Sequence, residues 1–306
     1  MPPTDVHTSR LRVFLAVVDT GSFTLAAREL HLTQQAVSAA VARLEDDLGV
    51  RLLERTTRSG HPTPAGGQFA DRARTLLADW DEAVTSANHQ GRMDRRLLRV
   101  GAMAGAALEL TDPIVAAFAA SEPGAIVEFE PHLYDDPSAG LRSGTTDVAF
   151  LRPPLTDDGL VVVDLLTEPR LILVGLGHPL AGRDQIALDE LRPFAAARPA
   201  GPDQRWNDFW SAGADPSTSR PVATLESAFE LVASGQAFAI APVGWTRFYS
   251  RVGLHALTSP DLPPSVLAIG RRTGDQNPLV HRFIETAVHL AATRLDLVPA
   301  SRPPIA

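Results

Sequence analysis

Along the first ninety residues, apolar side chains recur at helical spacing in a series of capped segments. Leu11, Phe14, Leu15 and Val18 stand at i, i+3, i+4 and i+7 after Thr8 and Ser9, either of which can cap a helix, and Gly21 stops it. Ser22 can cap a second helix with Phe23, Ala26, Ala27 and Leu30 on one face. Thr33 can cap a third, its hydroxyl accepting from the backbone N–H of Gln35 or Ala36; this helix buries Val37, Val41, Leu44 and Leu48 and ends at Gly49. Residues 50–62 fit a short two-stranded wing with Ser59-Gly60 near its tip. Thr63-Pro64, a cap followed by proline at the first helical position, opens a longer helix. On it, Phe69, Ala73, Leu76, Trp80, Ala83 and Ala87 fall at alternating helical steps, a heptad seam. The seam suits a second copy of the chain, or it packs on the chain's own core.

From about Arg92 the pattern changes to alternating strands and helices. Strands are expected at Leu97–Met103, Ile126–Leu133, Val148–Leu151, Leu171–Leu176, Ala237–Ala241 and Val266–Ile269. Helices are expected at Leu108–Ala120, Leu188–Arg192, Trp206–Ala212, Leu225–Ser234, Trp245–Val252 and Pro278–Leu295. The class is α/β with a largely parallel sheet, divided in two on grounds of length. Ligands of such folds collect at the carboxyl ends of strands and at helix N-termini.

Composition narrows the function. The chain has 306 residues, too many for one ordinary core, and no cysteine, so disulfides, thiol catalysis and cysteine-based zinc sites are all excluded. No apolar run is long enough to span a membrane and the first residues lack a signal-peptide core, which points to a cytoplasmic protein without a membrane partner. A formal net charge of −8 speaks against general nucleic-acid coating and leaves room for a local basic face. The outer side of the third helix offers such a reading face: Gln34, Gln35, Ser38, Ala39 and Ala42 are amides, a hydroxyl and small methyl groups. Amides pair with adenine edges and methyls touch thymine methyls when a helix lies in the major groove. Two short helices, a tight turn and this face make a helix-turn-helix; an ordinary three-helix packing unit with a polar outer side would share the pattern. Arg55 and Arg58 of the wing either meet phosphates and a minor groove or stand in solvent.

The segment FLAVVDTGSFTLAARELHLTQQAVSAAVARLEDDLGVRLLERTTRSGHPTPAG, Phe14–Gly66, resembles the LysR-type transcriptional regulators. Weaker matches continue through LRVGAM, DVAFLRPP, GHPLAG and LVASGQAFAIAP, so the resemblance covers nearly the whole chain. It implies a winged helix-turn-helix over 1–62, a dimerising linker helix over 63–90, and over 91–300 a periplasmic-binding-protein-like sensor. The sensor has subdomain I at about 91–166 and 269–298, and subdomain II at about 167–268. Such regulators bind double-stranded DNA as homodimers or homotetramers and respond to a small-molecule effector. Carried onto this chain, DNA contacts fall on Thr33, Gln34, Gln35, Ser38, Arg55 and Arg58. Gln35 stands where the family often has proline, and Ala39-Ala40 replace a commonly basic or amide pair, so the resemblance fixes the family and not the operator sequence. Effector contacts fall on Met103, Ala104, Gly105, Tyr134, Arg152, Pro199, Ala200, Gly201, Thr224 and Glu226. Family members that sense acids tend to offer a hydroxyl at the place of Gly105, so the resemblance brings no carboxylate clamp there. Arg152, at the end of its strand, is either a fork for a carboxylate on an organic acid or aromatic effector, or the partner of a structural acid across the cleft. Trp206 and Trp210 wall the pocket or pack a helix.

No catalytic or metal site is expected, and no cofactor. His281 and His289 lie eight apart on one helix rather than four, and neither G-x-S-x-G nor a P-loop occurs. The competing reading is a cytoplasmic receptor or enzyme of periplasmic-binding fold whose N-terminal helices serve only assembly.

Overall fold

The computed structural model describes residues 7–55, 60–249 and 251–304, with only the backbone of Arg55. Two compact units result, Met1–Ala87 and Asn88–Ala306.

The first unit runs α1 (Thr8–Thr20), α2 (Phe23–Glu29), α3 (Gln34–Leu48), β1 (Leu53–Arg55), β2 (Gly60–Pro62) and the start of α4 (Pro64–Asp94). Its helix ends follow the local chemistry. Ser22 accepts from Leu25 N–H and Thr33 from Ala36 N–H, while Gly21 and Gly49 close α1 and α3 in the left-handed region. The cap position of α1 is His7, without a side-chain bond, rather than Thr8 or Ser9. Phe14, Val17, Ala26, Val37, Val41 and Leu44 form the core between α1, α2 and α3.

β1 and β2 pair antiparallel as a wing, with Leu53 opposite Pro62 and Arg55 opposite Gly60. Its tip falls outside the described residues, and Arg58 with it. The base of the wing is held by a charge. Glu45, on α3 and buried, accepts from the N–H groups of Leu52 (2.9 Å) and Leu53 (3.1 Å) and from Arg51 (2.9 Å). Burial alone would raise its pKa, but the backbone donors and Arg51 outweigh it and hold the carboxyl below the ordinary 4.5. Thr63 caps α4 by accepting from Gly66 N–H at 3.0 Å. Gly66 passes so close to the wing that a Cβ there would lie 1.9 Å from the Leu52 carbonyl oxygen.

The second unit begins with the last turns of α4 and continues through β3 (Leu97–Ala102), α5 (Thr111–Ser121), β4 (Ile126–Pro131), β5 (Val148–Leu151), β6 (Leu160–Glu168), β7 (Arg170–Gly175) and β8 (Ala197–Pro199). Then come α6 (Gln204–Trp210), β9 (Arg220–Val222), α7 (Leu225–Ala233), β10 (Ala239–Pro242), α8 (Trp245–Phe248), β11 (Leu254–Leu257), β12 (Ser265–Arg272) and α9 (Pro278–Thr293). One sheet has the order β4-β3-β5-β12-β6, a second β10-β7-β11, and β8 pairs with β9. The first sheet is mixed and the second antiparallel, which corrects the largely parallel expectation. β3 is parallel to β4 and β5, but β12 returns from the second sheet and enters antiparallel between β5 and β6. The second sheet is wholly antiparallel. β6 escaped the sequence reading because only Pro169 separates it from β7, and β8 and β9 are too short to show a period. Leu108–Leu110 and Leu188–Leu191 are 3-10 turns.

At the entry to this unit, Asp147 is fully buried and accepts from Arg92 (2.7 Å), His89 (3.1 Å) and the N–H of Arg99 (3.0 Å). The end of α4 is thereby fastened to β3 and to the turn before β5.

The sign of the Glu45 shift fixes its pH behaviour. A carboxyl with a depressed folded pKa stabilises above its unfolded value, and that contribution is lost as pH falls through the folded pKa. Hydrogen exchange of the full chain should therefore show the Leu52 and Leu53 amides opening as pH drops below the ordinary glutamate range. Glu45→Gln should weaken their protection at pH 7 by about 1–3 kcal/mol and remove the acid dependence; unchanged protection would dismiss Glu45 as the clasp of the wing.

Candidate functional site

On the first unit, α3 turns Val37, Val41 and Leu44 into the core. Thr33, Gln34, Gln35, Ser38 and Ala39 consequently face solvent, because a helix with one buried stripe exposes the positions between. Thr33 is engaged as the cap of α3, its hydroxyl oxygen 3.2 Å from Ala36 N, which orients the first turn. Arg55 lies on β1.

Of the seam on α4, Phe69 and Ala73 turn inward. Ala73 is buried, and the Phe69 ring meets Phe14 at 5.6 Å, so both belong to the unit's own core. Leu76 and Trp80 are each 53% exposed, and Ala83, Val84 and Ala87 continue the exposed stripe.

In the second unit, the positions singled out for an effector gather at the carboxyl ends of parallel strands, as the fold rule expects. Met103–Gly105 follow β3, Tyr134 follows β4, Arg152 follows β5, Pro199–Gly201 close β8, and Thr224 and Glu226 follow β9. Backbone bonds tie these loops together. Tyr134 N–H donates to Ala223 O at 2.9 Å, and a Cβ on Gly201 would meet the Asp135 backbone at 2.8 Å. Thr224 caps α7, accepting from Ser227 N–H, and Glu226 is exposed on its first turn.

Arg152 has a structural acid rather than a free fork. Its side chain is buried, with Nη1 2.5 Å from Glu168 Oε1 and 3.1 Å from Ser265 Oγ. The other carboxylate oxygen accepts from Gly244 N–H at 2.6 Å. Glu168 lies where β6 leaves the first sheet, two residues before β7 starts the second. The pair thus joins the ends of β5 and β6, the start of β12 and the entrance to α8.

Beside it, Tyr134 and Pro199 line a chamber with Trp206, Trp210 and Trp245. The rings of Tyr134, Trp245 and Trp210 stand nearly parallel, 6.0 and 5.9 Å apart between centres. Trp206 and Trp210 therefore both wall the chamber and pack. The free space is about 20 Å³, enough for one water molecule. Burial pushes the Tyr134 phenol well above the ordinary 10.0, and the charge of Glu226 adds to the shift. Met103, Ala104 and Gly105 instead line an open groove of about 830 Å³ on which Tyr249 also borders. Gly105 adopts φ +85°, donates its N–H to the Tyr249 hydroxyl at 3.1 Å, and would bring a Cβ within 3.0 Å of the Trp245 indole. The missing hydroxyl at that position is a packing requirement of Trp245.

Glu168, Trp245 and Tyr249 were not foreseen. Glu168 carried a signal, since it and Arg170 are charged positions inside the apolar stretch LLTEPRLILV. Trp245 and Tyr249 sit in a segment whose sequence says nothing of what it faces.

Comparison with known proteins covers both units. Residues 8–67 match the model of the bacterial regulatory helix-turn-helix protein, lysR family, and residues 91–292 match that of the LysR substrate binding domain. The chain is 31% identical over 251 residues to the HTH-type transcriptional regulator TtuA of Agrobacterium vitis, covering 78% of this chain and 80% of that one. It is 26% identical over 281 residues to the HTH-type transcriptional regulator AlsR of Bacillus subtilis (90% and 93% covered). A full-length BenM point mutant superposes with a TM-score of 0.52 at 24% identity, covering 98% of this chain and 99% of that one, a likeness of fold.

Arg152→Ala would leave Glu168 charged, buried and without its guanidinium. The variant should lose about 3–5 kcal/mol in urea unfolding, while Arg152→Ala combined with Glu168→Gln recovers part of the loss. Equal stability of the single variant and the parent would remove the pair from the framework of this unit.

Proposed function

Because the chain belongs to the LysR family of DNA-binding transcriptional regulators with an effector-binding domain, we propose that it reads its operator through the exposed side of α3 and senses its effector at the strand ends that converge on Tyr134 and Arg152. The observation that carries the first part is the division of α3 between a buried apolar stripe and a solvent face of Gln34, Gln35, Ser38 and Ala39. That face carries small side chains beside its amides, which lets a helix approach base edges, and the amides can make paired hydrogen bonds to adenine. Thr33 caps the helix and orients its first turn toward the backbone. Arg55, on the wing, supplies a phosphate or minor-groove contact that sets register without reading sequence.

Replacement of Gln34 by Ala should weaken binding to the chain's own promoter DNA by roughly 1–3 kcal/mol and leave random DNA unaffected. Gel-shift titrations at fixed salt measure both; equal losses on the two DNAs would exclude a base contact.

A second copy of the chain is the partner proposed for α4. Leu76 and Trp80 keep half their surface exposed and continue into Ala83, Val84 and Ala87 along one stripe. The interface excludes Phe69 and Ala73, which serve the core. Linking two reading heads raises affinity by avidity, which a unit with nine Arg against eleven Asp and Glu needs. Leu76→Asp should convert the oligomer to monomers in light scattering; an oligomer of parental mass would move the interface elsewhere.

The effector is proposed to occupy the strand-end region around Tyr134, Pro199 and Arg152, with Met103–Gly105 and Thr224–Glu226 on its borders. Orphaned buried donors in that region support the reading.

A further inference from the structure

Two clusters of buried charge close one pair of strands at its opposite ends. β5 and β12 lie side by side and antiparallel, Leu151 opposite Ala268 and Val148 opposite Arg271. At the carboxyl end of β5, Arg152 meets Glu168 and donates to Ser265, the first residue of β12. At the amino end of β5, Asp147 accepts from Arg92. There Arg272, the last residue of β12, donates to the carbonyl of Thr146 at 2.6 Å, with Nη2 3.8 Å from the Asp147 carboxylate. Side chains at both ends of β12 thus grip the residues that flank β5.

The span between these ends is stiff. All four residues of β5 are buried, and β3 pairs with it on the other side. Gly270 of β12 packs so closely that a Cβ on it would lie 2.6 Å from the Leu151 side chain. An interior of this density has low compressibility and passes a displacement on rather than absorbing it. Five residue steps separate Asp147 from Arg152, about 16 Å of strand. Sites that far apart normally act independently unless something joins them.

What each end touches gives the strand pair its use. Around Arg152 lies the region proposed for the effector, and the Arg152 carbonyl accepts from the Trp206 indole at 3.0 Å. Around Asp147 lie the last turns of α4. Arg92 donates to it through Nε and Nη2, and His89 Nδ1 stands 3.1 Å away. α4 is one helix from Pro64 to Asp94, so the turns held by Asp147 continue the element that carries Leu76 and Trp80.

We infer that β5 and β12 form a girder that couples the effector region to the end of α4, with Arg92 and Asp147 as the coupling pair. A displacement of Arg152 or Glu168 reaches Asp147 along the paired strands and there shifts the grip on α4. Arg92 is a positioning residue in this scheme and touches no ligand. The use of the far end rests on the effector reading above; the coupling itself does not.

Hydrogen exchange of the full chain, read by mass spectrometry, tests the coupling from both ends. Glu168→Gln alters one end of the girder and touches nothing on α4. Protection over residues 88–94 should nevertheless fall roughly threefold or more. Leu257→Ala opens a cavity where β11 pairs with β7, outside the girder, and should leave residues 88–94 near the parent value. Urea unfolding measures the global loss each variant causes. A fall that merely follows that loss in both variants, or no fall in Glu168→Gln, would overturn the girder. The reverse arm uses the chain's own promoter DNA, because a coupling between sites is reciprocal. Binding of the duplex should change protection over residues 155–160, where Thr156 N–H donates to Asp203, by roughly twofold in the parent. Arg92→Gln lies outside the helix-turn-helix match at 8–67, and should remove that change while keeping DNA affinity within a few-fold. Arg92→Gln combined with Asp147→Asn should do the same without leaving a buried charge unpaired. A change that persists in both variants, or is absent from the parent, would overturn the link to α4. No effector enters either arm, so failure here leaves the effector region in place, and failure of the effector reading leaves these exchange results standing.

Discussion

Taking a guanidinium and a carboxylate out of water costs several kcal/mol per ion, and only close geometry with further hydrogen bonds repays it. Arg152 and Glu168 meet that demand at the one place where the chain leaves its first sheet for its second. Glu168 uses both oxygens, one on Arg152 and one on the N–H of Gly244, and Ser265 adds a contact at the return strand. Every route between the two sheets of this unit passes these residues: β6 into β7 outward, and β12 on the way back. The pair therefore sets where the strand ends lie, and with them the loops that carry Tyr134, Pro199 and Trp245.

The same device recurs wherever an element must be held at a defined angle. Glu45 fastens the wing to α3 through two backbone amides and Arg51. Asp147 fastens the end of α4 through Arg92, His89 and the amide of Arg99. In each case a buried carboxylate meets several donors from outside its own helix or strand, so its loss loosens a junction rather than a helix. The functional surfaces work in the opposite sense. On the proposed DNA-facing side, α3 exposes donors and acceptors to water, whereas buried donors beside the chamber have no partner among the described residues. The first arrangement suits a polyvalent partner read by pattern, and the second a small molecule selected by what it can accept.

Local rules explain why the N-terminal unit was legible in the linear order of residues. The caps at Ser22, Thr33 and Thr63, the stops at Gly21 and Gly49, and the buried stripe of α3 all act within a few residues, so spacing alone discloses which side of α3 is left for a partner. The α/β character of the second unit and the positions of β3, β5 and α9 were legible for the same reason, as was the family, whose motif is concentrated in Phe14–Gly66.

What spacing could not disclose were relations across long sequence distance. That Arg152 would find Glu168, that β12 would enter antiparallel between β5 and β6, and that Trp245 would stack between Tyr134 and Trp210 depend on how the chain returns from its second sheet. Phe69 and Ala73 illustrate the limit within one helix. They share a heptad with Leu76 and Trp80, yet α1 happens to cover only the first turns of α4, so one stripe divides into core and surface. Periodicity reports that a face is apolar; only packing in three dimensions, which fills space with whichever neighbour arrives first, decides what that face is apolar toward.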